Sequence, residues 1–301
     1  MLAYLPKNFS SAKTPPTIEV EVFDGDVDPS PASLDKVEIY VPTYMGSAGV
    51  YEIIHDMPNL RYIQLLTAGV DKVTPFMREG LTICNARGVH DLGTAEHTLG
   101  LILASMRGIV ETVRAGNSGW STRRIRPTLF NSAVTIVGAG SIGREIGRLI
   151  EALGGKVSFV SRSGSNGTVA FGEADELFRS ADLVVAVVPL TNETKSMFDA
   201  SFFSKIKDGA LFVNVARGEV VDQDTMIESL RSGRFNAALD VVTPEPLPAE
   251  SELWTMKNVI ITPHVGGATK SFFYKGISLI EENLSRFAQG QEPLNVIHGD
   301  Y

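Results

Sequence analysis

Three glycines in the spacing G-x-G-x-x-G constrain the fold of this chain more than any other feature. Gly138, Gly140 and Gly143 follow the apolar run Ala133–Val137 and open a helical pattern at Ser141–Leu153. Between a strand and a helix, such glycines allow a tight turn, close approach of a pyrophosphate and close helix–strand packing. The helix N-terminus adds free N–H groups and partial positive charge. The motif therefore predicts a dinucleotide site formed by Gly138, Gly140, Ser141, Ile142 and Gly143.

Short apolar runs alternate with helical patterns through most of the chain, which is typical of parallel α/β folds. In the second part, strands are predicted at Ala133–Val137, Lys156–Ser161, Asp182–Val188, Ala210–Val215, Asn236–Val241 and Asn258–Thr262. Six such strands with helical crossovers predict a doubly wound parallel sheet of the Rossmann type. The first part predicts a smaller flavodoxin-like α/β sheet, with strands at Thr17–Phe23, Lys36–Val41, Leu60–Leu66 and Leu81–Asn85 and a helix at Ala48–Met57.

Two amphipathic segments complete this division into two domains. Leu92–Ala115 has apolar residues at helical spacing and predicts one long helix, followed by a loop over Ala115–Leu129. A C-terminal helix, which we expect to cover the first sheet, is predicted from the stripe Phe273, Ile277, Ile280, Leu284 and Phe287. The predicted domains are residues 1–87 with 272–301, and residues 88–271, which would bind the dinucleotide.

Composition and charge exclude several classes of function. The chain has 301 residues, enough for two domains, and its 27 Lys and Arg against 35 Asp and Glu leave a net charge of −8. An acidic protein is poorly suited to neutralise nucleic-acid phosphates, so no nucleic-acid partner is expected. The single cysteine, Cys84, forms neither an internal disulfide nor a cysteine-rich zinc site, which predicts no metal and a reducing, cytoplasmic location. No apolar run reaches the roughly 18 residues of a membrane span, and Met1–Pro16 does not resemble a secretory signal, so no membrane partner is expected.

The residues after the second predicted Rossmann strand indicate which cofactor binds. An NAD site needs Asp or Glu about 20 residues beyond the first glycine, where the carboxylate accepts a hydrogen bond from the ribose 2′-hydroxyl. This chain has Ser161, Arg162 and Ser163 there instead. A guanidinium flanked by hydroxyls can pair with a 2′-phosphate. The segment therefore predicts NADP, with NAD as the alternative if it is only a polar loop.

Three polar side chains follow strands at the carboxyl edge of this sheet, where ligands of open α/β sheets bind. Arg217 follows the strand at 210–215, Glu245 the strand at 236–241 and His264 the strand at 258–262. Histidine can give a proton to a carbonyl oxygen, a carboxylate on its other nitrogen would fix the ring, and arginine can hold a substrate carboxylate. The structural alternatives are an ion pair for Arg217, a solvated loop acid for Glu245 and a packed core histidine for His264. Their combination beside a dinucleotide motif favours catalysis.

Seven stretches along the chain, taken in order, resemble one known family. They are Thr67–Asp71, Asn85–Gly88, Ala95–Gly100, the glycine motif, Asn214–Gly218, Ala238–Val241 and Pro263–Gly267. On these stretches the chain resembles the D-isomer-specific 2-hydroxyacid dehydrogenases, which include glyoxylate/hydroxypyruvate reductases and D-lactate, D-glycerate and 3-phosphoglycerate dehydrogenases. The stretches span nearly the whole chain.

The resemblance implies a role for residues in and beside these stretches. Arg217, Glu245 and His264 would form the catalytic set, with Arg217 and His264 also contacting substrate. The backbone of Ala68, Gly69 and Val70 would hold the substrate carboxylate, which makes residues 1–87 and 272–301 the substrate-binding domain. The cofactor cleft would be lined further by Val188, Pro189, Thr194, Val215, Ala216, Asp240 and Gly266, with Asp240 near the nicotinamide amide. The helix from Leu92 would help to build a homodimer.

The substrate is less closely defined. Formate dehydrogenases of this family have an amide where Glu245 stands, so formate is not expected. Tyr44 or Met45 would favour a short 2-oxoacid if either faced the cleft, and either could equally pack under its own loop. The basic loop with Arg123, Arg124 and Arg126 has no role assigned by the resemblance. We interpret it as a solvated, dimer-rim or cofactor-phosphate-facing segment rather than one that steers substrate.

The leading hypothesis is an NADP-dependent reductase that converts a small 2-oxoacid, glyoxylate or hydroxypyruvate, into the D-2-hydroxyacid. The first alternative is an NAD-dependent D-lactate, D-glycerate or phosphite dehydrogenase. The second is a cofactor-sensing binding protein like the transcriptional corepressors of the family, because a fold alone does not establish catalysis.

Overall fold

The computed structural model describes residues 1–24, 33–47 and 49–297. The chain divides into two compact units, which we call unit 1 (Met1–His90 with Ala268–Tyr301) and unit 2 (Asp91–Gly267). The units change at 90/91 and 267/268, whereas the sequence placed the domain boundaries at 87/88 and 271/272.

The described residues form eight α-helices and twelve strands. The helices are α1 Gly49–Glu52, α2 Asp91–Met106, α3 Ile109–Ala115, α4 Ser141–Ala152, α5 Asp175–Ser180, α6 Ala200–Lys205, α7 Gln223–Arg231 and α8 Lys270–Ala288. The strands are β1 Leu2–Leu5, β2 Glu19–Val22, β3 Val37–Tyr40, β4 Tyr62–Gln64, β5 Thr82–Cys84, β6 Ala133–Val137, β7 Lys156–Ser161, β8 Val169–Ala170, β9 Leu183–Ala186, β10 Leu211–Asn214, β11 Asn236–Leu239 and β12 Val259–Ile261.

Unit 1 contains a parallel sheet in the order β2-β1-β3-β4-β5. This is the flavodoxin-like strand order, and the predicted fold class is confirmed. The sequence patterns missed β1, although Ala3, Tyr4 and Leu5 are fully buried between the two neighbouring strands. Four consecutive residues before a turn are too few for a periodicity to be recognised.

Two predictions in unit 1 need correction. The helix predicted at Ala48–Met57 is the single turn α1 followed by a 3₁₀ turn at Ile53–Asp56, and Ala48 lies outside the described residues. Helix α8 packs against the first sheet through Phe272, Ile280 and Leu284, but Phe273, the first member of the predicted stripe, is 39% exposed and does not belong to this core. The helix is capped by Thr269, which accepts a hydrogen bond from the Phe272 N–H, and this start turns Phe272 rather than its neighbour inward.

Unit 2 contains a parallel sheet in the order β12-β11-β10-β9-β6-β7-β8. This is the doubly wound Rossmann order with one strand added at the β12 edge. All six predicted strands lie in this sheet. The sequence patterns missed β8, because two residues at a sheet edge carry no detectable alternation.

Helices cover both faces of this sheet, which explains why its strands are apolar on both sides. Phe178, Phe202 and Phe212 belong to the core on one face, together with residues of α5, α6 and α7. Ile102 of α2 and Ile146 of α4 belong to the core on the other face. Within the described ranges, no helix is both long and apolar enough to cross a membrane.

The single helix predicted at Leu92–Ala115 is in fact two helices, α2 and α3. Gly108 separates them with a φ of +64°, a left-handed backbone that glycine adopts without strain. A side chain at this position would also collide with the guanidinium of Arg126. The predicted loop that follows contains a 3₁₀ turn at Gly116–Thr122.

Candidate active site

The glycine motif forms the turn between β6 and α4, and two of its glycines are required by close contacts. Gly138 has a φ of +116°, and a Cβ there would collide with the carbonyl oxygen of Val187. A Cβ on Gly143 would collide with the carbonyl oxygen of Gly138. The tight turn and the close helix–strand packing that the motif predicts are therefore both present.

Gly140 meets a different environment. A Cβ built on it meets no atom of the described chain within 4 Å, so open space borders the backbone at this position. Gly140 is also the N-cap of α4, and no described side chain caps the helix. The N–H groups at Ser141 and Ile142 thus begin an uncapped helix beside open space, which suits the pyrophosphate of a dinucleotide.

At the carboxyl end of β7, Arg162 is 84% exposed and its Nη1 lies 3.0 Å from Oε2 of Glu193. The two flanking serines form hydrogen bonds with neighbouring hydroxyl groups. Ser161 Oγ lies 2.6 Å from Thr168 Oγ1, and Ser163 Oγ lies 2.9 Å from Ser165 Oγ. Sequence reasoning missed Glu193, because its contact with Arg162 spans 31 residues and has no local pattern. A 2′-phosphate that binds Arg162 would therefore have to replace Glu193 as the partner of its guanidinium.

The loop after β9 carries three predicted cofactor-cleft residues. Thr194 closes the loop on itself, because its hydroxyl donates to the carbonyl oxygen of Pro189 at 2.7 Å and accepts from the N–H of Thr191 at 2.8 Å. Val188 packs partly buried against the phenylalanine-rich core. The loop follows β9, and β9 pairs directly with β6, the strand before the glycine motif.

The turn after β10 is built by Asn214, whose side chain is buried. Its Oδ1 accepts from the N–H of Ala216 and its Nδ2 donates to the carbonyl oxygen of Arg217, both at 3.0 Å. Val215 and Ala216 are buried in this turn. The Arg217 guanidinium donates through Nη1 to the Ala216 carbonyl at 2.8 Å.

The β10 turn lies against the end of β11 at Gly218. A Cβ at Gly218 would collide with the carbonyl oxygen of Val242. This close approach is the reason for a glycine next to Arg217, and it brings the segment that carries Arg217 beside the segment that carries Glu245.

His264 and Glu245 form a direct pair. The Nδ1 atom of His264 lies 2.7 Å from Oε2 of Glu245, and Oε1 of Glu245 accepts from the N–H of Val242 at 3.2 Å. The His264 side chain is 46% exposed, so it is not a packed core histidine. Burial raises the pKa of the Glu245 carboxyl, but His264, the Val242 N–H and the charge of Arg217 outweigh burial and lower it.

Asp240, by contrast, is buried, with an exposed fraction of 4%. Its carboxylate accepts four hydrogen bonds, from His97 Nε2, Thr262 Oγ1 and the N–H groups of Val265 and Gly266. Burial raises the pKa of this carboxyl, but the four donors outweigh burial and lower it to about 2. Sequence reasoning assigned no role to His97, although this residue lies in the family-like stretch Ala95–Gly100 and on the same helical face as the buried Thr94 and Leu101.

The predicted substrate loop, Ala68 to Val70, follows β4 in unit 1. Asn85 Nδ2 donates to the Ala68 carbonyl at 2.9 Å, and Thr67 Oγ1 donates to the Gly69 carbonyl at 2.8 Å. Both hydrogen-bond donors belong to unit 1, so residues of unit 1 alone hold the conformation of this loop.

Tyr44 and Met45 differ in their surroundings. The Tyr44 ring lies 5.4 Å from that of His90 and 4.2 Å from that of Phe272, centroid to centroid. Met45 is 62% exposed and has a φ of +59°. Tyr44 therefore packs under its loop, whereas Met45 projects from it.

The basic loop contains both paired and exposed side chains. Arg124 and Arg126 both form ion pairs with Glu111. Arg123 lies beside Trp120 at the edge of an open cavity of about 500 Å³. Two of the three arginines whose role was left open thus have a structural partner. In the part of the chain that the structure describes, no group of three or more His, Cys, Asp or Glu side chains could hold a metal ion.

The chain is similar to known proteins of one family. Residues 99–266 match the family model for the D-isomer specific 2-hydroxyacid dehydrogenase, NAD binding domain. The glyoxylate reductase of Pyrococcus furiosus is 30% identical over 93% of this chain and 89% of its own length. The mouse glyoxylate reductase/hydroxypyruvate reductase is 35% identical over 70% of this chain and 69% of its own length.

One solved structure also aligns along nearly the whole chain. The D-isomer specific 2-hydroxyacid dehydrogenase from Xanthobacter autotrophicus, in complex with NADPH and MES, has a TM-score of 0.79 and 27% identity. The alignment covers 99% of this chain and 98% of the other.

Proposed function

Because this chain belongs to the D-isomer specific 2-hydroxyacid dehydrogenase family, we propose that it transfers a hydride between NADP(H) and a small 2-oxoacid, with glyoxylate or hydroxypyruvate as the substrate and the D-2-hydroxyacid as the product. Oxidoreductase activity on hydroxyacids is a property of the family; the substrate and the cofactor are our proposal. The observation that carries it is the 2.7 Å contact between His264 Nδ1 and Glu245 Oε2 at the sheet edge that also holds Arg217.

His264 is the proposed proton donor. Because its Nδ1 is bonded to Glu245, Nε2 is the ring nitrogen left to give a proton to the substrate carbonyl oxygen. The Glu245 carboxylate holds the ring in this orientation and stabilises the imidazolium before it donates. In the reverse direction, the same nitrogen takes the proton from the hydroxyl group.

Arg217 is the proposed substrate clamp. A guanidinium can bond a carboxylate through two N–H groups and can polarise the neighbouring carbonyl. The Nη1 bond to Ala216 and the buried Asn214 beneath the turn support a fixed position for this side chain. The backbone at Ala68–Val70 remains our proposed further contact for the substrate carboxylate, and unit 1 the proposed substrate-binding domain.

The glycine turn and the uncapped start of α4 are the proposed seat of the dinucleotide, with Gly140 at the pyrophosphate. When bound, the reduced nicotinamide supplies the hydride. Val188, Pro189, Thr194, Val215, Ala216, Asp240 and Gly266 remain proposed cofactor-cleft residues, as the family resemblance implies.

NADP is the proposed cofactor because Arg162 stands where an NAD site would carry an acid. The bound NADPH in the Xanthobacter structure supports this choice. The ion pair between Arg162 and Glu193 favours one alternative, an enzyme that accepts NAD as well, because a carboxylate beside Arg162 competes with a 2′-phosphate.

A homodimer in the cytoplasm is the proposed working form. Three apolar side chains of α3 and the loop after it are strongly exposed: Val113, Trp120 (85%) and Ile125. Exposed apolar side chains grouped in one segment are typical of an interface between protein chains. The buried, unpaired Cys84 is compatible with a reducing compartment.

Initial rates of NADPH and NADH oxidation with glyoxylate, hydroxypyruvate, pyruvate and phenylpyruvate test the proposal. His264→Asn is the matched variant, since asparagine tolerates the left-handed backbone at this position, and His55→Asn on the exposed surface is its control. We expect His264→Asn to lower kcat about 10²- to 10⁴-fold with an unchanged Kd for NADPH. Full turnover in this variant would refute the mechanism, and no turnover of any substrate by the unmodified protein would refute the function.

A further inference from the structure

A cluster of three side chains joins α2 to the carboxyl ends of β11 and β12. His97 Nε2 lies 2.9 Å from Thr262 Oγ1 and 3.1 Å from Asp240 Oδ1, and Thr262 Oγ1 lies 2.6 Å from the same carboxylate oxygen. An ionised carboxylate can only accept, so the Thr262 hydroxyl donates to Asp240. The Thr262 oxygen then accepts from His97, which means that His97 carries a proton on Nε2.

The same carboxylate holds the backbone directly after His264. Asp240 Oδ1 accepts from the N–H of Val265 at 3.0 Å, and Oδ2 accepts from the N–H of Gly266 at 2.9 Å. The N–H of His264 donates to the Asp240 carbonyl at 2.8 Å. Asp240 is therefore hydrogen-bonded to three consecutive residues of the segment that presents the His264 ring.

The backbone at His264 needs this support. Its φ is +53°, a left-handed conformation that is unfavourable for a residue with a side chain and persists only where the surroundings enforce it. The cluster is also closely packed, since a Cβ on Gly266 would lie 2.9 Å from Asp240 Oδ2 and 3.5 Å from His97 Cδ2. A displacement of the Asp240 carboxylate would therefore also move the backbone of His264.

We propose that His97 is a positioning residue for His264 and acts through Asp240 and Thr262. Its Nε2–H orients the Asp240 carboxylate, and the carboxylate holds the segment from His264 to Gly266 so that His264 keeps its contact with Glu245. This inference rests on the proposed function, because it assigns His264 the proton transfer. His97 itself does not react.

Two substitutions of His97 distinguish the role of its Nε2–H hydrogen bond from that of its size. In His97→Gln, the amide nitrogen stands the same number of bonds from Cα as Nε2 and keeps the donor. In His97→Asn, the amide is one bond shorter and the donor is lost. Because small displacements of a catalytic group cost up to about 10²-fold in rate, we expect kcat to fall about tenfold or more in His97→Asn and less than about threefold in His97→Gln. The Kd for NADPH should follow the same order, because the proposed cofactor-cleft residues Asp240 and Gly266 belong to the same cluster.

Thr262→Val tests the same connection from the other side. Valine has the shape of threonine without the hydroxyl, so this variant should also lower kcat. If both residues act through Asp240, their effects should not add. The double variant His97→Asn with Thr262→Val should then have a kcat only slightly below that of the less active single variant. The ¹⁵N resonance of His264 Nδ1, which reports the contact with Glu245, should shift in His97→Asn and stay in place in His97→Gln.

Equal losses in His97→Gln and His97→Asn, or an unchanged kcat and an unchanged His264 resonance in His97→Asn, would overturn the proposal. Fully additive losses in the double variant would overturn it as well. If the unmodified protein reduced no 2-oxoacid, the proposed function would fail, while the His264 resonance would still decide whether His97 positions this ring.

Discussion

The Nδ1 atom of His264 lies 2.7 Å from Oε2 of Glu245, although 19 residues separate the two in the chain. The contact engages Nδ1, so in the proposed mechanism Nε2 is the ring nitrogen that gives the proton. In Glu245→Gln the amide keeps the size of the side chain but removes the charge that stabilises the imidazolium. We expect kcat for 2-oxoacid reduction to fall about 10- to 100-fold with an unchanged Kd for NADPH, measured by steady-state rates and cofactor fluorescence. Glu250→Gln, an exposed acid of the same loop, is the control, and an equal effect in both variants would contradict the assignment.

Asp240 should make the stability of the protein depend on pH in acid. Its pKa is lowered from 3.8 to about 2 in the folded chain, so the folded state favours the ionised form. The resulting stabilisation, about 2 kcal/mol, is fully present above the unfolded pKa and is lost as the pH falls through the folded pKa. The free energy of unfolding of Asp240→Asn, measured in urea, should therefore lie below that of the unmodified protein at pH 7 and approach it between about pH 4 and pH 2. Asp224→Asn, on the exposed side of α7, should show no such trend.

Alanine at Gly140 and at Gly143 should have opposite effects on folding and binding. Gly143→Ala forces a Cβ into the Gly138 carbonyl, and we expect a loss of about 1–3 kcal/mol in the free energy of unfolding. Gly140 has a φ of −71° and open space around its Cβ position, so Gly140→Ala should melt at the temperature of the unmodified protein. Its Kd for NADPH should nevertheless rise about tenfold or more, because the added methyl group would occupy the proposed place of the pyrophosphate. A normal Kd in Gly140→Ala would place the phosphates elsewhere.

Arg162 and Glu193 should control the choice between the two nicotinamide cofactors. Arg162→Ala removes the proposed charge-assisted hydrogen bond to a 2′-phosphate, worth about 1.5–3 kcal/mol, so the Kd for NADPH should rise about tenfold to a hundredfold while that for NADH hardly changes. Glu193→Gln frees Arg162 from its exposed ion pair and should strengthen NADPH binding only a few-fold, since exposed ion pairs are weak. Lys195→Ala, on the same loop, serves as the control. Equal losses of NADPH and NADH in Arg162→Ala would remove the basis for NADP.

Trp120 and Ile125 should be part of the subunit interface. Both side chains are strongly exposed in the isolated chain, and a carboxylate at either position would be costly to bury between two chains. We expect Trp120→Glu with Ile125→Glu to convert the dimer into a monomer in analytical ultracentrifugation. Tyr274→Glu, at an aromatic residue of unit 1 that is also strongly exposed, should leave the mass unchanged. An unmodified protein that is already monomeric would contradict the proposed dimer.

Local sequence patterns were sufficient to predict the elements in which buried residues recur at a regular spacing. The strands β6 and β7 have the predicted bounds, because β6 is an apolar run that ends at the glycine motif and β7 is an alternating run between a glycine pair and a polar loop. The glycine spacing likewise indicates the tight turn at Gly143, where a Cβ would collide with the carbonyl oxygen of Gly138 in the same motif. The patterns did not predict β1 and β8, which are too short to show a period. They also did not predict the break between α2 and α3, because Gly108 interrupts the helix by its left-handed backbone while the apolar stripe continues.

The sequence by itself determined the fold class, the glycine turn and the identity of Arg217, Glu245 and His264 as residues that follow strands of one sheet. Only the tertiary structure decided which atoms meet. His97 reaches Asp240 across 143 residues and Glu193 reaches Arg162 across 31, and neither contact has a signal in the local sequence. The physical reason is that backbone preference and hydrophobic periodicity act over a few neighbouring residues, whereas hydrogen bonds and ion pairs between distant side chains depend on how completed helices and strands pack.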